Sequence, residues 1–143
     1  MIWNKEPNLL ELQTICRNTL CEHLGMEFIE AGDDYLIAKM PVDHRTHQPA
    51  GLLHGGASVA LAESLGSIAS ALCLTSPSTM PVGVEINANH LKSATAGFVF
   101  GKVSPLKLGK KIHVWNIEIT NPQKDLICVS RLTVMIVDRP KAN

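Results

Sequence analysis

The sequence predicts an α+β fold in which one long apolar helix lies against a largely antiparallel sheet. Three observations carry this: an apolar stretch from Leu52 to Leu74 rich in small residues, a change to period-two alternation after Pro81, and no helical segment between the strands that follow. The chain has 143 residues, 45% of them hydrophobic and 18% charged. It fits one domain, residues 1–143, that buries about two thirds of the surface of the extended chain on folding.

Leu9, Leu12, Ile15, Cys16, Leu20 and Leu24 recur at three- and four-residue steps, which predicts an amphipathic helix from about Pro7 to His23, ended by Gly25. Met26 to Glu30 and Tyr35 to Pro41 read as two strands around a turn at Ala31–Asp34. Asp43 to Gly51 is an irregular loop carrying His44, His47, Gln48 and Pro49. The long helix follows, from about Gly55 to Leu74. Ala57, Val59, Ala60, Leu61, Leu65, Ile68, Ala69, Ala71 and Leu72 leave it no wide polar face, so a sheet must wrap it and a partner chain close the rest. Beyond it Val82, Val84, Ile86, Ala88 and His90 alternate with polar residues, as do Phe98, Phe100 and Lys102 against Val99 and Val103. His113, Trp115, Ile117 and Ile119 continue the pattern after a loop at Leu106–Lys111, and Asn121-Pro122 turns the chain into Leu126–Val137. The count is six strands and one long helix.

Thirteen basic and thirteen acidic side chains leave no excess of cations to displace phosphate counterions, which argues against nucleic acid as a partner. Cys16, Cys21, Cys73 and Cys128 form no C-x-x-C pair, and Met1–Leu10 holds no apolar run of export-signal length. Both point to a cytoplasmic protein with reduced thiols. The Leu52–Leu74 stretch is long enough to span a bilayer but has Glu63 at its centre, so it reads as a helix buried in protein, with no membrane partner. Charge is segregated: Met1–Asp43 holds eight acids and three bases, whereas Ile86–Ile117 holds five lysines (Lys92, Lys102, Lys107, Lys110 and Lys111) and no acid. That run is a candidate site for a discrete anion, or else a set of solvated strand-edge lysines.

Gly56, Glu63, Ser67 and Ser70 fall near one helix azimuth, since seven residues advance about 700°, close to two full turns. A buried carboxylate without a partner is expensive, and no basic residue lies within reach on the same helix, so Glu63 is the candidate base or nucleophile. Gly55 and Gly56 leave free N–H groups at the helix start, where a carbonyl oxygen can be polarised, with His54 and Gln48 nearby as further donors. A metal at Asp43, His44, His47, His54 and His90 is the weaker reading, because no recognised ligand spacing is present, and none is expected.

The segments Met40–Ser64 (MPVDHRTHQPAGLLHGGASVALAES), Val82–Leu91 (VGVEINANHL) and Val114–Ile119 (VWNIEI) resemble the signature of hotdog-fold acyl-CoA thioesterases. Within that family the likeness is to the 1,4-dihydroxy-2-naphthoyl-CoA thioesterases of menaquinone synthesis and to relatives that clear misacylated aryl carrier proteins. It covers about Met1 to Val137. The resemblance implies a long helix wrapped by a curved antiparallel sheet, and a homotetramer built as a dimer of dimers. It implies Glu63 as the catalytic carboxylate, Gln48 and the Gly55 N–H as carbonyl-polarising groups, His54 beside them, and Ser67 near the attacking water. Coenzyme A contacts would fall on Val82, on His90, Leu91, Lys92 and Ser93, on the loop of Lys107, Leu108, Gly109, Lys110, Lys111 and Ile112, and on Arg131. No cofactor is implied beyond coenzyme A as part of the substrate. Ala50 stands where relatives often carry Phe, which leaves room for a bulkier acyl group. The expected activity is hydrolysis of an aromatic or medium-chain acyl-CoA; the alternatives are proofreading of misacylated carrier proteins and a non-catalytic acyl-CoA-binding module.

Overall fold

The computed structural model describes residues 1–140. Helices α1 (Leu9–Ile15) and α2 (Leu20–His23) precede β1 (Glu27–Ala31) and β2 (Leu36–Pro41). The long helix α3 (Gly55–Cys73) is followed by β3 (Thr79–His90), β4 (Phe98–Leu108), β5 (Ile112–Thr120) and β6 (Leu126–Asp138). All pairings are antiparallel and the six strands run in the order β1-β2-β4-β5-β6-β3, the α+β arrangement that the sequence predicts.

The strand alternation of β5 is the clearest link from sequence to core. His113, Trp115, Ile117 and Ile119 are all buried, and with Leu132, Val134, Val99 and Val103 they form the sheet face that receives Leu61, Leu65 and Ala69 of α3. Each fully buried Leu or Ile contributes about 1.5–3 kcal/mol. Ser70 is equally buried: its hydroxyl oxygen accepts from Trp115 Nε1–H at 2.7 Å and stands 3.2 Å from His113 Nδ1. Burial holds the pKa of the His113 imidazole below the usual histidine value. Ser70 of the polar stripe is therefore a core hydrogen-bonding group.

Three elements depart from the sequence reading. The single helix expected over Pro7–His23 is two short ones, because the chain breaks at Asn18, whose φ is 58°, and the first helix is capped by Asn8, whose side chain accepts from the N–H groups of Leu10 and Glu11. β4 runs to Leu108, which shortens the loop expected at Leu106–Lys111 to three residues, 109 to 111. In β3 the alternation is interrupted: Gly83 pairs with Val134 and Glu85 with Thr133, so Val84 is an extra, bulged residue. Ile86 and Ala88 pack on the core, while Val82 and Val84 are 40% and 51% exposed. β3 ends the sheet and pairs with β6 alone.

α3 is long and apolar enough to cross a membrane by length and composition. Its buried residues pack instead on the sheet, as the central Glu63 leads one to expect.

Candidate active site

The loop between β2 and α3 is tied down by its own short polar contacts. Buried Thr46 donates its hydroxyl to the Pro41 carbonyl at 2.7 Å, His47 and Leu53 form an isolated bridge, and His54 N–H donates to the Thr46 carbonyl at 2.8 Å. Within this frame the Gln48 N–H donates to Leu52 O and the Gln48 carbonyl accepts from Gly51 N–H. The Gln48 side-chain oxygen accepts from Ala50 N–H. An amide whose oxygen is held by a backbone donor has its NH₂ group free to donate, which settles the polarity of Gln48.

Gln48 lines a cleft of about 360 Å³ together with Gly55, Ser58, His90, Lys92 and Ser93 on its polar side and Leu52, Leu53, Leu91, Ala94 and Ile127 on its apolar side. The Gly55 N–H has no hydrogen-bond partner among the described residues. His90 lies close over Gly55: a Cβ built there would fall 2.7 Å from its Nε2, so a side chain at position 55 would push the ring aside. Two N–H donors without partners among the described residues, one from an amide side chain and one from a helix N-terminus, thus belong to residues that line one apolar-backed cleft. This is the arrangement that receives the charge of a carbonyl oxygen under nucleophilic attack.

His54 is not in that cleft. Its Nδ1 accepts from Gly56 N–H at 2.8 Å, which makes it the N-cap of α3 and leaves the ring proton on Nε2. The ring faces a separate depression with Leu20, Leu24, Arg45, His47, Ala57 and Ala60. The Ala50 side chain is exposed and also lies outside the cleft lining.

Glu63 lies two turns along α3 and outside the cleft that holds Gln48 and Gly55. It is half-buried, has no hydrogen-bond or ion-pair partner among the described residues, and its pKa is raised by the loss of water around the carboxylate. Its carboxylate rests against Gly83 of β3. Ser67, one turn further, is half-buried as well.

The lysine run divides. Lys92 lines the cleft and its Nζ is 2.5 Å from Asp125 Oδ2, while Lys102 stacks over the Tyr35 ring at 4.1 Å. Lys107, Lys110 and Lys111 are exposed at the β4–β5 hairpin with Leu108, and no ion-pair partner faces them among the described residues; Gly109 and Ile112 close the turn through the Gly109 N–H to Ile112 O bond at 2.9 Å. Arg131 is exposed on β6 between Asn87 and Asn116. Sequence reading missed Asp125, which is held by Asn121 Nδ2 at 2.9 Å and in turn holds Lys92; only the Asn-Pro turn signal marked that region. The weaker metal reading finds no support in the arrangement: Asp43 is bound by Arg45, His47 Nε2 contacts Thr95 O, and no cluster of metal-ligating side chains forms among the described residues.

Comparison with known proteins gives the same fold and chemistry. Residues 50–128 match the model of the thioesterase superfamily. The chain is 50% identical over 137 residues to a 1,4-dihydroxy-2-naphthoyl-CoA hydrolase of Escherichia coli (strain K12), covering 96% of this chain and 100% of that one. It is 47% identical over 137 residues to the proofreading thioesterase EntH of Cronobacter turicensis, covering 96% and 99%. A crystal structure of a thioesterase from Haemophilus influenzae superposes with TM-score 0.93 at 47% identity over 96% of each chain. A mutant thioesterase from Pseudomonas aeruginosa superposes with TM-score 0.95 at 43% identity over 97% of this chain and 100% of that one. The chain belongs to the thioesterase superfamily, with the hotdog fold. It is a thioester hydrolase, the activity that the resemblance of Met40–Ser64 implies.

Proposed function

We propose that the enzyme hydrolyses an aromatic or medium-chain acyl-CoA, and that 1,4-dihydroxy-2-naphthoyl-CoA, the substrate named for the Escherichia coli relative, is the first to test. The observation that carries this reading is the pair of uncommitted donors, Gln48 Nε2–H and Gly55 N–H, on a cleft backed by Leu52, Leu53, Leu91 and Ile127. The thioester oxygen sits between the two donors. Glu63 takes a proton from water as the water oxygen bonds to the carbonyl carbon, and the two donors receive the charge that gathers on the carbonyl oxygen. Collapse reforms the C=O bond and breaks the C–S bond, and the thiolate leaves with the proton that Glu63 held. A desolvated carboxylate is a stronger base than one in water, which suits Glu63 to this step.

Gly55 and Glu63 are eight residues apart, about 12 Å along the helix axis, so one small carbonyl group cannot meet both on one chain. Glu63 then comes from a second copy whose α3 runs antiparallel, in a two-fold dimer joined along the open edge of β3, where Val82 and Val84 are exposed. Two such dimers make the tetramer. Lys107, Lys110 and Lys111 hold the phosphates of coenzyme A, and the enzyme works in the cytoplasm on substrate and water alone.

A thiol-release assay over aryl and alkyl acyl-CoAs and acylated carrier protein tests this. Turnover of aryl or medium-chain acyl-CoA is the expected result. Turnover confined to acylated carrier protein would make the enzyme a proofreading thioesterase, and binding without thiol release would make it a non-catalytic module.

A further inference from the structure

Among the described residues the Glu63 carboxylate has no hydrogen-bond partner, yet a working base must be fixed in place, so what seats it within its own chain is steric. A Cβ built on Gly83 would overlap Glu63 Oε1 and lie 3.3 Å from its Cδ and 3.9 Å from its Oε2. One carboxylate oxygen therefore occupies the space that a side chain at position 83 would take, and the other lies farther from it.

The bulge at Val84 explains how position 83 comes to face the helix. Ile86 and Ala88 pack on the core, and strict alternation would then turn position 83 outward with the odd-numbered residues. The extra residue resets the parity, so that Gly83 faces α3 three positions before Ile86 instead of two or four. Two independent features, a missing side chain and a shifted register, open the same space at the same oxygen.

We propose that Gly83 is a positioning residue, the seat of the Glu63 carboxylate, built by the Val84 bulge. This rests on Glu63 being the base. The φ of Gly83 lies outside the left-handed region, so Gly83→Ala is compatible with the backbone and acts through the carboxylate alone. Gly83→Ala should lower kcat about 10- to 100-fold, the scale of a displacement near 1 Å, with KM within about twofold of wild type. Glu63→Asp shortens the side chain by one methylene and withdraws the carboxylate from the added methyl group. The double variant Gly83→Ala/Glu63→Asp should therefore be about tenfold or more above the product of the two single effects. Wild-type kcat in Gly83→Ala, or a double variant at the simple product, overturns the seat while leaving Glu63 as the base. Wild-type turnover in Glu63→Gln overturns the base assignment itself, and the seat with it.

Discussion

The indole N–H of Trp115 points at the hydroxyl oxygen of Ser70 across 2.7 Å of fully buried core, on the same helix azimuth as Glu63. Ser70→Ala leaves that N–H without an acceptor and His113 Nδ1 without its partner. The expected cost is about 1–3 kcal/mol in urea unfolding, against a few tenths for Ser67→Ala, whose hydroxyl has no partner among the described residues. His113, held below its ordinary pKa, favours the fold when neutral. That contribution is whole above the unfolded value near 6.5 and falls away as pH drops below it. An acid-side loss of stability that His113→Gln removes would confirm the assignment.

Glu63→Gln should lower kcat by about 10²- to 10⁴-fold and raise stability at neutral pH. The sign follows from burial: the carboxylate's folded pKa lies above its unfolded one, so the protonated form suits the fold, and the cost of the charge is full once pH has risen through the folded value. Thermal midpoints should be higher for Glu63→Gln at pH 7 and converge with wild type as the pH falls. An equal or lower midpoint at pH 7 would contradict the desolvated carboxylate.

A single turnover in ¹⁸O-labelled water tests for direct attack by the carboxylate, since an anhydride opened at the Glu63 carbonyl carbon takes the label into Glu63. General-base catalysis places the label only in the released acid. Label in the peptide containing Glu63, read by mass spectrometry, would show an acyl-enzyme anhydride instead.

Sharing of the site between two chains is open to complementation. Glu63→Ala and Gln48→Ala should each be nearly inactive, and random pairing after co-refolding makes half the dimers mixed with one intact site in two. About a quarter of wild-type activity should return. Verified mixed dimers without activity would place Glu63 in the pocket of its own chain.

Charge reversal at Lys107, Lys110 and Lys111 should raise KM for acyl-CoA and flatten its salt dependence while sparing an acyl-pantetheine thioester. Equal losses on both substrates would give the lysines a structural role.

What the sequence makes legible is what local pattern controls. Trp115, Ile117 and Ile119 alternate, and the core-facing side of β5 follows. Gly55-Gly56 after His54 marks a helix start, and that is where α3 begins. The break at Asn18 was hidden because Leu12, Cys16 and Leu20 keep helical spacing across it, and only a left-handed backbone reveals it. Period-two reading put Val82 and Val84 on one face with Ile86 and Ala88, and a bulge carries no apolar signature that would warn otherwise. His54, Gln48 and Gly55 are close in sequence, yet the N-cap bond turns the imidazole away from the cleft. Asp125 stands 33 residues from the Lys92 it holds, a pairing that only the folded sheet creates.

The bond from Ala50 N–H to the Gln48 side-chain oxygen uses backbone alone at position 50. Every amino acid except proline supplies that N–H, so the residue following Gln-Pro can change its side chain without disturbing the donor two positions before it. The aim of the Gln48 amide and the side chain at position 50 are in this way separable traits. Selection can alter one while the other is inherited intact, and a library at position 50 that omits proline should keep Gln48 aimed in every member.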